Sequence, residues 1–252
     1  RSLIASGWYP DNSRDAYSRL KHYASFFDTV EVDSTFYAIP GEEVFYQWAA
    51  RTAPGFLFNI KAFGLFTFHT LSVTALPREL MPPGISKGSR LRIWEIPKDT
   101  RIALWERFIS RVLVLHSMNR LGYLLFQFPP WVVFSERHLN WFKRVATLAS
   151  PARVAIEIRH RSWLEEGNRE RFLDLLRDQN MAFTAVDEPS LEWTVPPSPG
   201  APPQLDELVA LESSGEAWPA DIRLLPHVEE LLTEAPGARL IAERGILRLL
   251  HR

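Results

Sequence analysis

Five short β-type segments of the sequence carry charged or amide side chains at or near their C-terminal ends, and these side chains are the strongest candidates for chemistry. The segments are TVEVD (Thr29–Asp33), LFNIKA (Leu57–Ala62), GYLLFQF (Gly122–Phe128), RVAIEIR (Arg153–Arg159) and AFTAVD (Ala182–Asp187). Because successive strand residues point to opposite faces, Glu31 shares a face with Asp33, and Glu157 shares a face with Arg159. Acids and bases on one face can transfer protons to and from a bound molecule.

The polar side chains lie opposite apolar ones along each segment. Lys61, for example, alternates with Phe58 and Ile60. An unpaired charge costs several kcal/mol when it is buried, so repeated charges on one side of a sheet need partners or a ligand. In an α/β protein the carboxyl ends of parallel strands share one edge of the sheet. We therefore predict one polar pocket formed by Glu31, Lys61, Gln127, Glu157 and Asp187.

These residue types favour an enzyme that acts on a small polar molecule by acid/base chemistry. Glu31 and Glu157 are the candidate general acid or base, and Lys61 is the candidate group to stabilise a developing negative charge. Other residues at the strand ends, or in the loops that follow them, are candidates for substrate binding: Asp33, Tyr37, His69, Gln127, Arg159, His160, Trp163 and Asp187.

The same side chains allow other interpretations. A buried ion-pair network, for example Lys61 with Glu31 or Glu157, needs no ligand at all. A divalent metal is a further hypothesis, although Lys61 and Arg159 would compete with a cation. Its ligands would be Glu31, Asp33, His69, Glu157 and Asp187.

Nucleic-acid binding is a hypothesis from a different class of function. Aromatic side chains near the strand ends could stack on bases, namely Tyr37, Phe68, Trp131 and Trp163. The formal net charge of −1 gives this hypothesis no electrostatic support, because phosphate neutralisation supplies much of the affinity of such proteins.

Helical patterns separate most of the five segments, which predicts an α/β fold with a parallel sheet. Helices are expected with an N-cap at Ser13, over Glu42–Arg51, from near Asp99, from Ser135 and over Asn168–Asn180. The segment from Phe66 to Pro97 is expected to be a long loop with small elements of its own.

The sequence changes character after Val195. We predict one domain over residues 1–195, a proline-rich connector over 196–203 and a divergent helical tail over 204–252. The last segment, Ala238–Arg252, places Arg244 and Arg248 one helical turn apart and predicts an amphipathic helix.

Composition excludes several classes of protein. Hydrophobic residues make up 46% of the chain and charged residues 23%, a mixture typical of globular domains. The absence of cysteine excludes disulfides and thiolate metal sites. The longest apolar stretch, Leu121–Phe134, is interrupted by Gln127 and by prolines, so it is too short to cross a bilayer. With no visible signal peptide, we expect a soluble, cytoplasmic protein.

Six motifs in order resemble the YecE-like family, which is a domain of unknown function (domain of unknown function 72, DUF72). The resemblance covers roughly residues 3–195 and implies a TIM-type (β/α) barrel with a pocket at the carboxyl ends of its strands. It implies no activity. The motifs are SGWYP (Ser6–Pro10), YASFFDTVEVDSTFYAIP (Tyr23–Pro40), the segment from Trp48 to His69, LLFQFPPW (Leu124–Trp131), AIEIRHRSW (Ala155–Trp163) and AVDEPS (Ala185–Ser190).

Some parts of the family pattern are missing from this chain. Family members have a strand upstream of SGWYP and later strands with an Arg-x-His-Gly-like signature and paired asparagines. Because we find none of these patterns, the resemblance implies an incomplete barrel, with the first strand and the last two strands missing or replaced. An inactive, truncated family member is therefore a further alternative.

Overall fold

Parallel strands form the centre of the fold. The computed structural model describes residues 4, 7–86, 88–184, 194–195, 239–243 and 246–250. The described strands are β1 (Thr29–Val32), β2 (Leu57–Lys61), β3 (Leu71–Ser72), β4 (Arg90–Leu91), β5 (Leu121–Gln127), β6 (Val154–Glu157), β7 (Ala182–Phe183), β8 (Arg239–Glu243) and β9 (Ile246–Leu250). The central sheet has the order β1-β2-β5-β6-β7, and each strand is parallel to its neighbours.

Helices connect most of the parallel strands, as the sequence pattern predicts. They are α1 (Ala16–Tyr23), α2 (Ser34–Tyr37), α3 (Glu42–Ala50), α4 (Lys98–Ser117), α5 (Glu136–Ala149) and α6 (Asn168–Asp178). The helix expected from Ser135 is confirmed as α5, and Ser135 caps it, because its side chain accepts a hydrogen bond from the His138 amide. The expected N-cap at Ser13 is wrong. Asp15 caps α1, since its carboxylate accepts the Ser18 amide at 2.7 Å.

The apolar faces of the strands and helices pack into one core. Phe58, Ile60, Phe126 and Ile156 are buried on the strands, and they join the buried apolar side chains of the helices, such as Phe108 on α4. Burial of these faces against each other is the main force that holds the sheet and the helices together. The opposite faces of β1, β2, β5 and β6 are left to the polar side chains.

An extra residue in β5 changes the register between β2 and β5. Phe58 pairs with Leu121, whereas Ile60 pairs with Leu124. Asn59 fills this irregularity, because its Oδ1 accepts the Tyr123 amide at 3.2 Å and its Nδ2 donates to Thr29 Oγ1 at 3.0 Å. A β-bulge of this kind re-aims the side chains that follow it.

The long loop between β2 and α4 has small elements of its own, as expected. Strands β3 and β4 pair antiparallel within it, and 3-10 turns flank them. The turns lie at Gly64–Thr67, Val73–Ala75, Arg78–Leu80 and Ile93–Glu95.

The central sheet is open in the described part of the chain. Strands β1 and β7 lie at its two ends and do not pair with each other there, so the structure shows an α/β fold with a parallel sheet but no closed barrel. Strand β7 ends at Phe183. The remainder of the predicted fifth segment, residues 185–187, lies outside the described residues.

The predicted C-terminal helix over Ala238–Arg252 is wrong. Strands β8 and β9 pair antiparallel there, with Glu243 opposite Ile246. Two five-residue apolar-rich runs separated by two residues also fit a β-hairpin, and such short runs satisfy helical and strand spacing alike. The boundaries of the connector and of the tail stay predictions. No helix within the described ranges has the length and hydropathy needed to cross a membrane.

Candidate functional site

Polar side chains from four strands meet at the carboxyl ends of β1, β2, β5 and β6. In the sheet Glu31 pairs with Asn59, Lys61 pairs with Leu125, and Gln127 pairs with Glu157. Of the five residues predicted to share a pocket, the structure connects four: Glu31, Lys61, Gln127 and Glu157. Asp187 lies outside the described residues. We call these four, together with Asp33, Tyr123 and Arg159, the polar cluster.

Glu157 is the most buried acid of the polar cluster. Its Oε1 accepts a hydrogen bond of 2.6 Å from Gln127 Nε2 and another of 2.6 Å from Arg159 Nε, and Arg159 Nη2 also contacts it. Only 6% of the Glu157 side chain is exposed. A carboxylate held by a guanidinium and an amide at once has little freedom to rotate, so its position is fixed.

Lys61 forms the second ion pair of the cluster. Its Nζ lies 2.8 Å from Asp33 Oδ1, and the Lys61 side chain is largely buried while that of Asp33 is 65% exposed. The Lys61 backbone is held as well, because Thr35 Oγ1 donates to the Lys61 carbonyl at 2.7 Å. Asp33 precedes helix α2 and makes no side-chain cap there, which leaves its carboxylate to the lysine.

Glu31 lies between the two ion pairs. Burial raises the pKa of its carboxyl group, and the negative charges of Asp33 and Glu157 raise it further, while Lys61 and Arg159 act in the opposite direction. Because all four charged neighbours affect one group, the two ion pairs and Glu31 form a single electrostatic unit. A carboxyl group whose pKa lies above the usual glutamate range can exchange a proton closer to neutral pH.

Tyr123 belongs to this unit, although the sequence analysis did not single it out. Burial raises the pKa of its phenol, and so do the charges of Glu31 and Glu157. The signal was present in the sequence, because Tyr123 is an even number of residues from Gln127 on one strand. Side-chain alternation therefore places the phenol and the amide on the same face.

His69 lies beside the polar cluster, in the loop after β2. Burial and the charge of Lys61 lower the pKa of its imidazole to about 4, so the ring is neutral at physiological pH. Its Nδ1 lies 2.9 Å from Thr67 Oγ1. A neutral imidazole in this position can donate or accept one hydrogen bond with its other nitrogen.

Aromatic rings continue the site away from His69. The imidazole makes edge contacts with Phe36, at 4.8 Å between ring centroids, and with Trp131, at 5.8 Å. Phe36 also contacts Tyr37 at 5.0 Å. We call Tyr37, Phe36, His69 and Trp131 the aromatic row. Phe36 was missed in the sequence analysis, because nothing in its local pattern distinguishes a site ring from a core ring.

Two predicted substrate-binding residues have structural roles. Trp163 is fully buried, its Nε1 donates to the Val132 carbonyl at 2.7 Å and its ring stacks on Phe142, so it is a core residue and cannot touch a ligand. His160 caps the 3-10 turn Arg161–Trp163, with Nδ1 2.9 Å from Ser162 Oγ. We therefore remove both from the candidate site.

The described residues do not support the metal hypothesis. Among them, no group of three histidine or acidic side chains is arranged to hold a metal ion. Asp33 and Glu157 instead pair with Lys61 and Arg159. Two cations beside the acids make the cluster a poor fit for a divalent metal, because they compete with it for the same oxygens.

Comparison with known proteins agrees with the resemblance seen in the sequence. A family model described as "Protein of unknown function DUF72" matches residues 3–219. UPF0759 protein YunF from Bacillus subtilis (strain 168) is 28% identical over 199 residues, which are 76% of this chain and 62% of YunF. The chain therefore spans less than two thirds of that relative's length.

Solved structures share the fold at low sequence identity. A DUF72 family protein (EF0366) from Enterococcus faecalis V583 has a TM-score of 0.58 at 19% identity, over 73% of this chain and 65% of its own. A DUF72 family protein (TM1631) from Thermotoga maritima MSB8 has a TM-score of 0.57 at 24% identity, over 92% of this chain and 84% of its own. Because the family model covers most of the sequence and solved members share its fold, this chain belongs to the DUF72 family.

Proposed function

We propose that this protein is an enzyme that transfers protons to or from a small polar molecule bound at the polar cluster. The observation that carries the proposal is Glu31, a partly buried carboxyl group with a raised pKa between the Lys61–Asp33 and Arg159–Glu157 pairs. A partly buried carboxyl group with a raised pKa and charged partners is typical of acid/base catalysis.

Each member of the cluster has a role in this mechanism. Glu31 is the general acid or base, because burial raises the pKa of its carboxyl group. Lys61 stabilises negative charge that develops on the substrate. Glu157 is held in place by Gln127 and Arg159 and positions the substrate. Because its carboxylate is fixed, its electrostatic effect on Glu31 is fixed as well.

The reaction can be detected before the natural product is known. The purified protein is incubated in D2O with a panel of small hydroxylated compounds, such as sugars, sugar acids and polyols, and proton NMR follows loss of C–H signals and formation of new species. We expect exchange or turnover of at least one compound. Glu31→Gln should reduce this rate by at least about a hundredfold, the usual contribution of a general acid or base.

A matched control is available on the surface. Glu166→Gln neutralises an exposed glutamate and should leave the rate unchanged. Equal rates in the wild type and in Glu31→Gln would refute the assignment of Glu31. The pH profile adds a second test: if Glu31 acts as a base, the rate rises with pH through a midpoint above the ordinary glutamate range.

We further propose that the five parallel strands are part of a TIM-type barrel. The proposal is supported by the order of the strands, because each strand of the sheet pairs with the strand of this sheet that follows it along the chain. The helices that connect most of these strands support it as well. A complete barrel needs one strand beside β1 and two beside β7. A crystal structure of a longer family protein would test this proposal. The proposal is contradicted if no further strand pairs with the strand that corresponds to β1.

Nucleic-acid binding is not favoured by the geometry. Lys61 and Arg159, the two cations of the cluster, are both paired with carboxylates rather than directed at a phosphate. Of the aromatic residues suggested for base stacking, Trp163 is in the core and Phe68 packs on Phe128 and Trp141.

A further inference from the structure

Two large aromatic side chains remain exposed next to the polar cluster. Trp131, which follows β5, is 62% exposed, and Tyr37, at the end of α2, is 65% exposed. Both belong to the aromatic row, so they are joined through Phe36 and His69 into one surface. Exposed aromatic rings beside convergent polar groups are a feature of ligand sites.

The aromatic row is held firmly at its centre. Phe36 packs directly on Gly64, where an added Cβ atom would come within 2.8 Å of the ring. Lys61 Nζ lies 5.5 Å from the centre of the same ring. A ligand on the row would therefore reach the ammonium group of Lys61 and the carboxylate of Asp33 with its polar edge.

The charges of the site disfavour an anionic ligand. The two cations of the cluster are matched by the carboxylates that they contact, Glu31 adds a third acid, and His69 is neutral at physiological pH. A phosphorylated or otherwise anionic ligand would have to replace a carboxylate in one of the ion pairs. The displaced carboxylate would then lose its hydrogen bonds, which is unfavourable.

We infer that the ligand is a neutral saccharide, which lays an apolar face on the aromatic row and directs its hydroxyl groups to the polar cluster. The C–H groups of a sugar ring carry partial positive charge, which the negative faces of Trp131 and Tyr37 attract. Its hydroxyl groups can donate to the carboxylates and accept from Lys61 and Gln127. This inference names the substrate class of the proposed enzyme and rests on that proposal for the site.

Binding, rather than turnover, tests this inference. Saturation-transfer NMR is recorded on the full chain with a panel of neutral mono- and disaccharides at millimolar concentration, with an uncharged nucleoside and with a single-stranded oligonucleotide. We expect at least one saccharide to bind, with the largest transfer at its ring C–H protons. Trp131→Ala and Tyr37→Ala should each weaken binding by about tenfold, as loss of one aromatic contact predicts.

Trp94→Ala is the matched control. Trp94 is also half exposed, but it lies before α4 with Arg92 over its ring, and its removal should leave saccharide binding unchanged. Because Trp131 and Tyr37 are on the surface, both variants should keep the thermal midpoint of the wild type, which shows that any lost affinity is local.

The outcomes separate this inference from the proposed function. Saccharide binding that depends on Trp131, without any exchange or turnover, would support the saccharide and contradict the enzyme. Turnover of a compound that is not a saccharide would support the enzyme and overturn the saccharide. The inference is also overturned if no saccharide binds, if the Trp131 variant binds as well as the wild type, or if only the nucleoside or oligonucleotide binds.

Discussion

Lys61 affects the pKa of two groups of the site, Glu31 and His69. Its ammonium group pairs with Asp33 at 2.8 Å, and its charge lowers the pKa of both Glu31 and His69. For Glu31 this opposes the larger effect of burial, whereas for His69 it adds to burial. The charge of Lys61 therefore lowers the pKa of an acid, Glu31, and of a base, His69. Removing this charge gives a direct test of the electrostatic unit.

We expect Lys61→Met to raise the pKa of His69 from about 4 toward 6.5 and to raise the pKa of Glu31 as well. The physical reason is the loss of a positive charge that favours the deprotonated form of each group. NMR titration of the imidazole and carboxyl signals measures both values, with the exposed Lys143→Met as control. Unchanged values in the Lys61 variant would mean that the charge of Lys61 does not contribute to the two pKa shifts.

The lowered pKa of His69 also predicts how stability depends on pH. Its pKa is 6.5 in an unfolded chain and about 4 in the fold, so between these values the unfolded chain binds a proton that the folded protein does not. The contribution of His69 to the free energy of unfolding is therefore fully present above pH 6.5 and is lost as the pH falls toward 4. Urea unfolding at several pH values should show that the unfolding free energy of His69→Gln depends less steeply on pH between 4 and 6.5. The difference in slope from the wild type corresponds to up to about one bound proton. An identical pH dependence would contradict the shift.

The irregular pairing of β2 with β5 is the element that sets the directions of the site residues on β5. Asn59 occupies the space beside Gly122, where a Cβ atom would come within 2.1 Å of Asn59 Oδ1. The bond from the Tyr123 amide to that oxygen holds the strand in place. Only glycine allows this close approach without movement of the asparagine.

Gly122→Ala should therefore destabilise the protein by about 1–3 kcal/mol, because it breaks a partly buried hydrogen bond or forces the strands apart. Chemical denaturation measures the loss, and Gly88→Ala, with open space around the new methyl group, is the control. In the Asn59→Ala background the same glycine change should cost much less. Equal costs in both backgrounds would show that the asparagine is not the cause.

Arg120 joins helix α3 to strand β5 at the opposite ends of the strands. The buried guanidinium group donates to four backbone carbonyls at the end of α3 and in the segment after it. The distances are 3.2 Å to Ala49, 2.8 Å to Thr52 and 3.1 Å to Phe56. The four acceptors are Ala49, Thr52, Ala53 and Phe56. Of these residues only Ala49 lies in α3. The arginine therefore connects the end of α3, and the turn that follows it, to the start of β5.

Arg120→Met should cost about 3 kcal/mol of unfolding free energy, because it removes all four hydrogen bonds of a buried guanidinium group. The exposed Arg137→Met on α5 is the control and should change the stability by less than about 0.5 kcal/mol. Urea denaturation followed by tryptophan fluorescence compares the two. A loss similar to that of the control would mean that water satisfies the four carbonyls.

At the scale of the whole molecule, one apolar core spans the described part of the domain. Its buried residues extend from Ile39 on the first βα connection to Met181 before β7, and they include Val195. A core that continues across all five parallel strands should unfold as one unit. The domain boundary at residue 195 stays a prediction.

We expect a chain of residues 1–195 to unfold in a single cooperative transition, with a midpoint within about 2 °C of that of the full chain. The reason is that the described core lies entirely inside this range. Differential scanning calorimetry of both chains measures the midpoint and the ratio of calorimetric to van't Hoff enthalpy. A broad transition in the shorter chain would place part of the stabilising core after residue 195.

Elements were easier to predict from the sequence than contacts. Strand alternation placed Glu31, Lys61, Gln127 and Glu157 on the polar face, because a period of two depends only on the chain itself. The same reasoning missed Tyr123, which shares the face of Gln127, and it included Trp163, whose ring direction depends on the turn after β6. Short apolar runs at the C-terminus fitted both helix and strand, so local spacing could not decide between them.

The sequence by itself determined the five parallel strands, most of the helices between them, the faces of the strands and the family, because these follow from patterns of neighbouring residues. Only the tertiary structure decided which charges pair, which rings stay exposed and how far the pKa of Glu31 or His69 moves. Pairing, burial and electrostatic shifts depend on distances between segments far apart in the chain, such as Lys61 and Asp33 or Arg159 and Glu31. Local spacing carries no information on those distances.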